Sequence, residues 1–67
     1  MPQFYITNES TEDTLDSTDD LQEAIRIARE ATRQVQVGDP VCVEYEGKTI
    51  KQFVLMPDGK VVEEALR

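Results

Sequence analysis

The strongest structural signal in the sequence is residues 17–40, STDDLQEAIRIAREATRQVQVGDP. Apolar side chains recur in it at spacings of three and four, which predicts a helix with one buried stripe. The stripe consists of Leu21, Ala24, Ile25, Ala28, Ala31 and Val35. Ser17 or Thr18 can cap the first turn, and Pro40 lacks the N–H group that a continuing helix needs. The small alanine side chains predict that this helix lies close to a sheet.

Short segments on both sides of the helix have the composition of strands. Residues 3–7, QFYIT, are aromatic and β-branched and predict a first strand. After the helix, further strands are predicted at residues 41–46, 49–56 and 60–63, with turns at Gly47 and at Pro57-Asp58-Gly59. The predicted order is therefore β-α-β-β-β. We expect a single α+β domain over residues 1–67, with one helix on one face of a three- or four-stranded, mainly antiparallel sheet.

The apolar pattern also predicts which side chains fill the core. They are Phe4, Ile6, Leu21, Ile25, Ala28, Val41, Val43, Ile50 and Val54. Because a single helix covers only one face of the sheet, we expect some of Tyr5, Phe53 and Leu55 to be exposed on the other face. A contiguous apolar patch of that kind is typical of an interface. Residues 64–67 are expected to form a frayed end or one helical turn.

The formal net charge of −7 is distributed unevenly along the chain. Residues 1–23 contain seven acids and no Lys or Arg, whereas residues 24–67 contain seven acids and seven bases. Most of the unbalanced acids fall in or next to a predicted loop at residues 8–18: Glu9, Glu12, Asp13, Asp16, Asp19 and Asp20. Such a segment repels nucleic-acid phosphates and attracts basic partners. It is also typical of a connector that is merely well solvated, and this alternative stays open.

The arginines of the helix predict a different kind of surface. Arg26, Arg29 and Arg33 lie on its polar face, interleaved with Glu23 and Glu30. This strip could contact phosphate or an acidic partner. The spacing favours a solvent-exposed face with salt bridges within the helix.

The residues needed for catalysis or for a metal site are scarce. The chain has one cysteine, which excludes an internal disulfide, and it has no histidine and no cysteine pair, so we expect no structural zinc site. The acids of residues 8–20 do not have the spacing of a calcium loop. Cys42 lies between Val41 and Val43, which predicts a packed and inert thiol. We therefore expect no enzymatic activity, no catalytic residue, no metal and no cofactor.

Membrane and export signals are missing from the sequence. The longest apolar run, Phe53–Met56, has four residues, whereas a membrane span requires ~20. The first residues show no basic region followed by an apolar stretch. These features predict a cytoplasmic protein. A chain of this size buries a small core, so a homodimer is also an open possibility.

The segment Asp20–Arg29, followed by strands and the Asp58-Gly59-Lys60-Val61 turn, resembles small bacterial β-α-β-β domains and compact phage-encoded inhibitors. It contains no motif that defines a family. Our first hypothesis is a non-catalytic protein-interaction module of a bacterium or phage, which uses the six acids above together with Tyr5 and Phe53. The alternative is an anionic decoy inhibitor, whose carboxylates mimic nucleic-acid phosphates on a basic protein.

Overall fold

Five β-strands and one α-helix form the structure, a computed structural model that describes residues 3–64. In chain order they are β1 (Phe4–Asn8), β2 (Asp13–Thr18), α1 (Leu21–Thr32), β3 (Pro40–Tyr45), β4 (Lys48–Leu55) and β5 (Val61–Glu63). The strands form one sheet in the order β2-β1-β3-β4-β5, and each neighbouring pair is antiparallel. Helix α1 lies on one face of this sheet.

The predicted α+β class, with one helix packed on an antiparallel sheet, is confirmed. The sheet has five strands, however, and not three or four, because part of the segment predicted as a loop at residues 8–18 is strand β2. No residue of β2 is buried, so this strand has no apolar alternation from which it could be predicted. Backbone pairing with β1 holds it in the sheet instead. The terminal turn predicted at residues 64–67 lies, beyond Glu64, outside the described residues.

Helix α1 starts slightly later than the capping prediction required. Asp20, and not Ser17 or Thr18, is the N-cap, and its Oδ1 atom accepts a hydrogen bond of 2.9 Å from the backbone N–H of Gln22. This bond satisfies one of the free donors of the first turn. The helix ends at Thr32, whose buried hydroxyl donates to a carbonyl of the preceding turn at 2.6 Å. Both ends of α1 are thus fixed by side-chain hydrogen bonds.

The core lies between α1 and the central strands. Its fully buried members are Ile6, Ala24, Ala28, Val41, Val43 and Phe53. Of the predicted core, the structure buries Ile6, Ala28, Val41, Val43 and Val54, and it leaves Phe4, Ile25 and Ile50 half-buried against the core. Leu21 was predicted wrongly, because it lies in the first turn of α1 and is 37% exposed. The buried alanines allow the helix to approach the sheet closely, as predicted.

The register between β3 and β4 determines where the aromatic side chain of Phe53 points. Phe53 is the cross-strand partner of Val41, and partners in neighbouring strands share a face of the sheet. Phe53 is therefore under the helix and only 1% exposed, which contradicts the expectation that it lies on the open face. Leu55 is half-buried, whereas Tyr5 is exposed as expected.

The turn between β3 and β4 contains a residue in an unfavourable backbone conformation. Glu46 has φ 51° and Gly47 has φ 78°, the positive pair that defines a type I′ hairpin turn. A glutamate side chain disfavours this region, whereas asparagine tolerates it. We expect Glu46→Asn to raise the free energy of unfolding by about 0.5 kcal/mol in urea denaturation. Glu46→Gln removes the same charge and should leave stability unchanged; an equal gain from both variants would contradict the conformational explanation.

Candidate functional site

The predicted acidic residues come together along one side of the molecule. We define the acidic edge as Glu9 and Glu12 of the β1–β2 connection, Asp13 and Asp16 of β2, and Asp19 and Asp20 before α1. Strand β2 is the outermost strand of the sheet and pairs with β1 alone among the described residues. Within residues 3–64, the second side of β2 therefore presents backbone N–H and C=O groups without a strand partner. All six acidic side chains belong to exposed residues.

Hydrogen bonds around Asn8 fix the turn that leads into β2. Asn8 is buried, and its Oδ1 atom accepts a hydrogen bond of 3.0 Å from the backbone N–H of Ser10. The N–H of Glu12 donates to the Asn8 carbonyl at 2.7 Å, and Glu12 itself has φ 61°. Farther along, the pairing of β1 with β2 has a register shift opposite Ile6 and Thr7. The acidic edge therefore begins at a hydrogen-bonded turn and continues as an irregular strand.

The carboxylates of the acidic edge are not neutralised within residues 3–64. The salt bridges there join Glu23 to Arg26, Glu30 to Arg33 and Glu63 to Lys51. No member of the acidic edge takes part in them. Asp16 and Asp20 accept hydrogen bonds from backbone N–H groups close by in the chain, at 2.8 and 2.9 Å. The negative charge of the edge is thus available to a partner.

The open face of the sheet differs from the apolar patch that we expected. Tyr5, which is 46% exposed, has Ser17 and Glu44 as its cross-strand partners. Apolar side chains of this face, Val54 and Val62, pair with each other at the opposite edge of the sheet. Tyr5 is therefore surrounded by polar groups. It also lies on the other face from Phe53, so the structure does not bring these two predicted contact residues together.

Cys42 is buried on the open side of the sheet, as its apolar neighbours predicted. It is fully buried, and its thiol donates a weak hydrogen bond to Oε1 of Gln52 at 3.7 Å. Burial is the main cause that raises the pKa of Cys42 to about 12. The Glu9 carboxylate contributes next, as a hydrogen-bond acceptor and as a negative charge, and the charge of Glu44 adds a smaller effect. A thiol with this pKa stays protonated at neutral pH and is a poor nucleophile.

A groove that the sequence did not indicate lies between α1 and β5. Its volume is about 380 Å³, and it is lined by Arg29, Arg33, Phe53, Gly59, Lys60, Val61 and Glu63. The guanidinium carbon of Arg29 is 5.5 Å from the centroid of the Phe53 ring, within the range of a cation–π contact. The spacing of Arg29 and Arg33 along the helix was visible in the sequence. Their approach to Lys60 depends on the sheet order and was not.

Salt bridges within the helix, which we expected for this solvent-exposed face, are found at both ends of the arginine strip, where Arg26 pairs with Glu23 rather than with Glu30. Glu23 pairs with Arg26, and this pairing lowers the pKa of Glu23 and raises that of Arg26. Arg33 lies 3.6 Å from Glu30. The arginine between them, Arg29, forms no ion pair within residues 3–64 and instead covers Phe53. The strip is thus mostly a salt-bridged solvent face, but Arg29 and Arg33 also line the groove.

No protein-family model matches this sequence, and comparisons with curated proteins and with solved structures also give no match. Among the described residues, His, Cys, Asp and Glu side chains do not gather in a group of three or more that could hold a metal ion. The helix of the described part of the chain is too short and too polar to cross a membrane.

Proposed function

We propose that this chain is a non-catalytic protein-interaction module, of a bacterium or phage, that binds a basic partner in the cytoplasm through its acidic edge. The observation that carries this proposal is a group of six exposed carboxylates, on the edge strand β2 and in the segments beside it, that form no ion pair within residues 3–64. Charge placed this way attracts Lys- and Arg-rich surfaces and speeds their association.

The edge strand also supports a mode of binding. A partner segment in extended conformation can add to the free side of β2 through backbone hydrogen bonds, while its side chains alternate between the two faces. Asp13 and Asp16 are cross-strand partners of Asn8 and Ile6, so they belong to the helix side of the sheet. Basic residues on that side of the added strand would meet both carboxylates. Tyr5, one strand away, offers the nearest exposed aromatic contact on the other side.

A binding role also agrees better with the chemistry of the chain than a catalytic one. The sequence has no histidine to act as a general base near neutral pH. The single thiol is buried and has a raised pKa. The residues of the acidic edge are exposed to water, whereas a catalytic acid or base usually lies in a pocket that encloses the substrate.

The alternative function is an anionic decoy that occupies the nucleic-acid site of a basic protein. The concentration of negative charge on the edge supports this reading too. The charge lies on one segment at a single side of the sheet, whereas a decoy usually spreads its carboxylates over the surface in an array like that of the phosphates. We therefore rank the decoy second. Competition by a DNA or RNA duplex for the partner would move it to first place.

The proposal is tested by a variant in which the six acids of the edge become amides: Glu9→Gln, Glu12→Gln, Asp13→Asn, Asp16→Asn, Asp19→Asn and Asp20→Asn. This variant has a net charge of −1, since six of the negative charges that give −7 are removed. Asn at position 20 can still cap the helix, so the fold should be retained. In affinity capture from a host lysate at low salt, we expect it to retain less than about a tenth of the basic partner that the native chain binds.

The matched control neutralises acids elsewhere: Glu30→Gln, Asp39→Asn, Glu46→Gln, Asp58→Asn and Glu64→Gln. Its net charge is −2, since five negative charges are removed from −7, yet its acidic edge is intact. We expect it to bind the partner as the native chain does, and high salt to weaken both. If the control loses the partner to the same extent, total charge and not the acidic edge explains the binding.

A further inference from the structure

We propose that the groove between α1 and β5 is a binding site for the phosphate group of a small molecule. We call it the cationic groove; its charged lining consists of the cations Arg29, Arg33 and Lys60 and the acid Glu63, and Phe53 and Val61 form its apolar wall. The site lies at the opposite edge of the sheet from β2. It is independent of the proposed interaction function, because it uses none of the residues of the acidic edge.

Arg29 is held in a suitable orientation for an anion. Its guanidinium carbon lies over the buried Phe53 ring, 5.5 Å from the ring centroid, and a guanidinium in this position can still donate N–H groups to an anion. Neither Arg29 nor Lys60 forms a salt bridge within residues 3–64. Within the described part of the chain, two cations from different elements thus border one groove without a salt-bridge partner. The bidentate geometry of arginine suits phosphate, and lysine adds a point charge.

The acids near the groove are largely engaged with other cations. Glu63 lines the groove, but its Oε2 atom is 3.1 Å from Nζ of Lys51. Glu30 is 3.6 Å from Nη1 of Arg33, and both side chains are well exposed, which makes this pair weak. A third acid, Asp58, accepts a hydrogen bond of 3.0 Å from the backbone N–H of Lys60, so the groove with these neighbours has four cations and three acids. It is therefore a locally positive region on a chain whose net charge is −7.

The distribution of charge selects small anions over large ones. The β2 and β5 edges are separated by four strand spacings, or about 19 Å, which exceeds two Debye lengths at physiological ionic strength, each about 8 Å. A phosphate monoester in the groove is therefore screened from the acidic edge. A nucleic acid or an anionic membrane is large enough to reach that edge and is repelled. The volume of about 380 Å³ falls at the lower end of small-molecule sites, which begin at about 300 Å³.

Backbone amide chemical shifts, measured by NMR during titration with inorganic phosphate and with phenyl phosphate, test this proposal. We expect shift changes centred on residues 29, 33 and 59–61, and dissociation constants of order 1 mM for so open a site. Lys60→Gln and Arg33→Gln should each raise the constant by about 2–5-fold, and the double variant by about tenfold. Both side chains are exposed, so these variants should fold; Arg29 is left intact because it covers Phe53.

The controls are Lys48→Gln, in the β3–β4 hairpin, and Arg26→Gln, at the start of the arginine strip. Each variant removes one positive charge outside the groove and should leave the dissociation constants unchanged.

Tighter binding of phenyl phosphate than of inorganic phosphate would identify organic monoesters as the ligand, and equal binding would assign recognition to the phosphate group alone. Shift changes spread over all cationic residues, or equal effects of control and groove variants, would overturn the site. Tighter binding of a single-stranded oligonucleotide at the same residues would overturn the preference for small anions.

Discussion

Replacing Phe53 with alanine is expected to lower the free energy of unfolding by about 3–5 kcal/mol. The ring is 1% exposed and belongs to the same buried cluster as Val41 on the sheet and Ala24 and Ala28 on the helix. Truncation leaves a cavity that the neighbouring alanines are too small to fill. It also removes the surface on which Arg29 stacks. Urea denaturation followed by circular dichroism gives the measurement.

A loss of this size in the free energy of unfolding is comparable to the total stability of the domain. Typical stabilities of about 0.05–0.15 kcal/mol per residue give a 67-residue chain about 3–10 kcal/mol in total. Phe53→Ala should therefore populate the unfolded state even without denaturant, and Phe53→Leu should recover much of the loss by filling the cavity in part. Tyr5→Ala is the matched control, since Tyr5 is an aromatic residue with 46% exposure on the open face. We expect it to cost less than about 1.5 kcal/mol. Equal losses from the two variants would contradict the register that places Phe53 under the helix.

Phe53 also shows where the sequence pattern stopped being informative. Residues 53–56 are all apolar, so period-two alternation cannot indicate which of Phe53 and Val54 faces the helix. The pairing of Phe53 with Val41 decides the matter, together with a register shift between Val43 and Glu44. A shift of this kind cannot be read from one strand alone, because it depends on both partners.

The helix was predictable for the opposite reason. Its stripe repeats over several turns, and Pro40 excludes its continuation, so its type did not depend on tertiary contacts. The helix, Leu21–Thr32, is shorter than the predicted apolar stripe, which extends to Val35. Val35 still packs against the core after the helix has ended. An apolar residue in phase with a helix can therefore reach the core from the turn that follows it.

The acidic edge was half predictable. Its six carboxylates followed from the uneven charge, but their conformation did not, because β2 lies at the sheet edge and buries no side chain. A strand held by backbone pairing alone leaves no hydrophobic signature. The cationic groove was less accessible still. Arg29 and Arg33 belong to α1, whereas Lys60 precedes β5, and only the completed sheet brings them to one groove.

The thiol of Cys42 is expected to react about 10³-fold more slowly in the folded chain than in the unfolded chain at pH 8. Its pKa is raised from 9.0 to about 12, and each unit reduces the thiolate fraction about tenfold at a pH below both values. Burial adds a steric barrier, since Cys42 is fully buried. The reaction with an aromatic disulfide reagent, followed by absorbance with and without urea, measures the ratio. Comparable rates in both states would show that the thiol is accessible and ionisable in the fold.

The raised pKa of Cys42 also makes the free energy of unfolding depend on pH in the alkaline range. Because the pKa of the folded thiol lies above that of the unfolded thiol, protonated Cys42 contributes its full stabilisation below pH 9.0 and loses it as the pH rises towards about 12. Between these values the free energy of unfolding should fall by at most about 1.4 kcal/mol per pH unit from this group. The comparison is with Cys42→Ala, which lacks the thiol but keeps every other ionisable group of the chain. A native chain that loses stability more steeply than Cys42→Ala above pH 9 identifies the buried thiol as the cause; parallel curves would show that its ionisation is not coupled to folding.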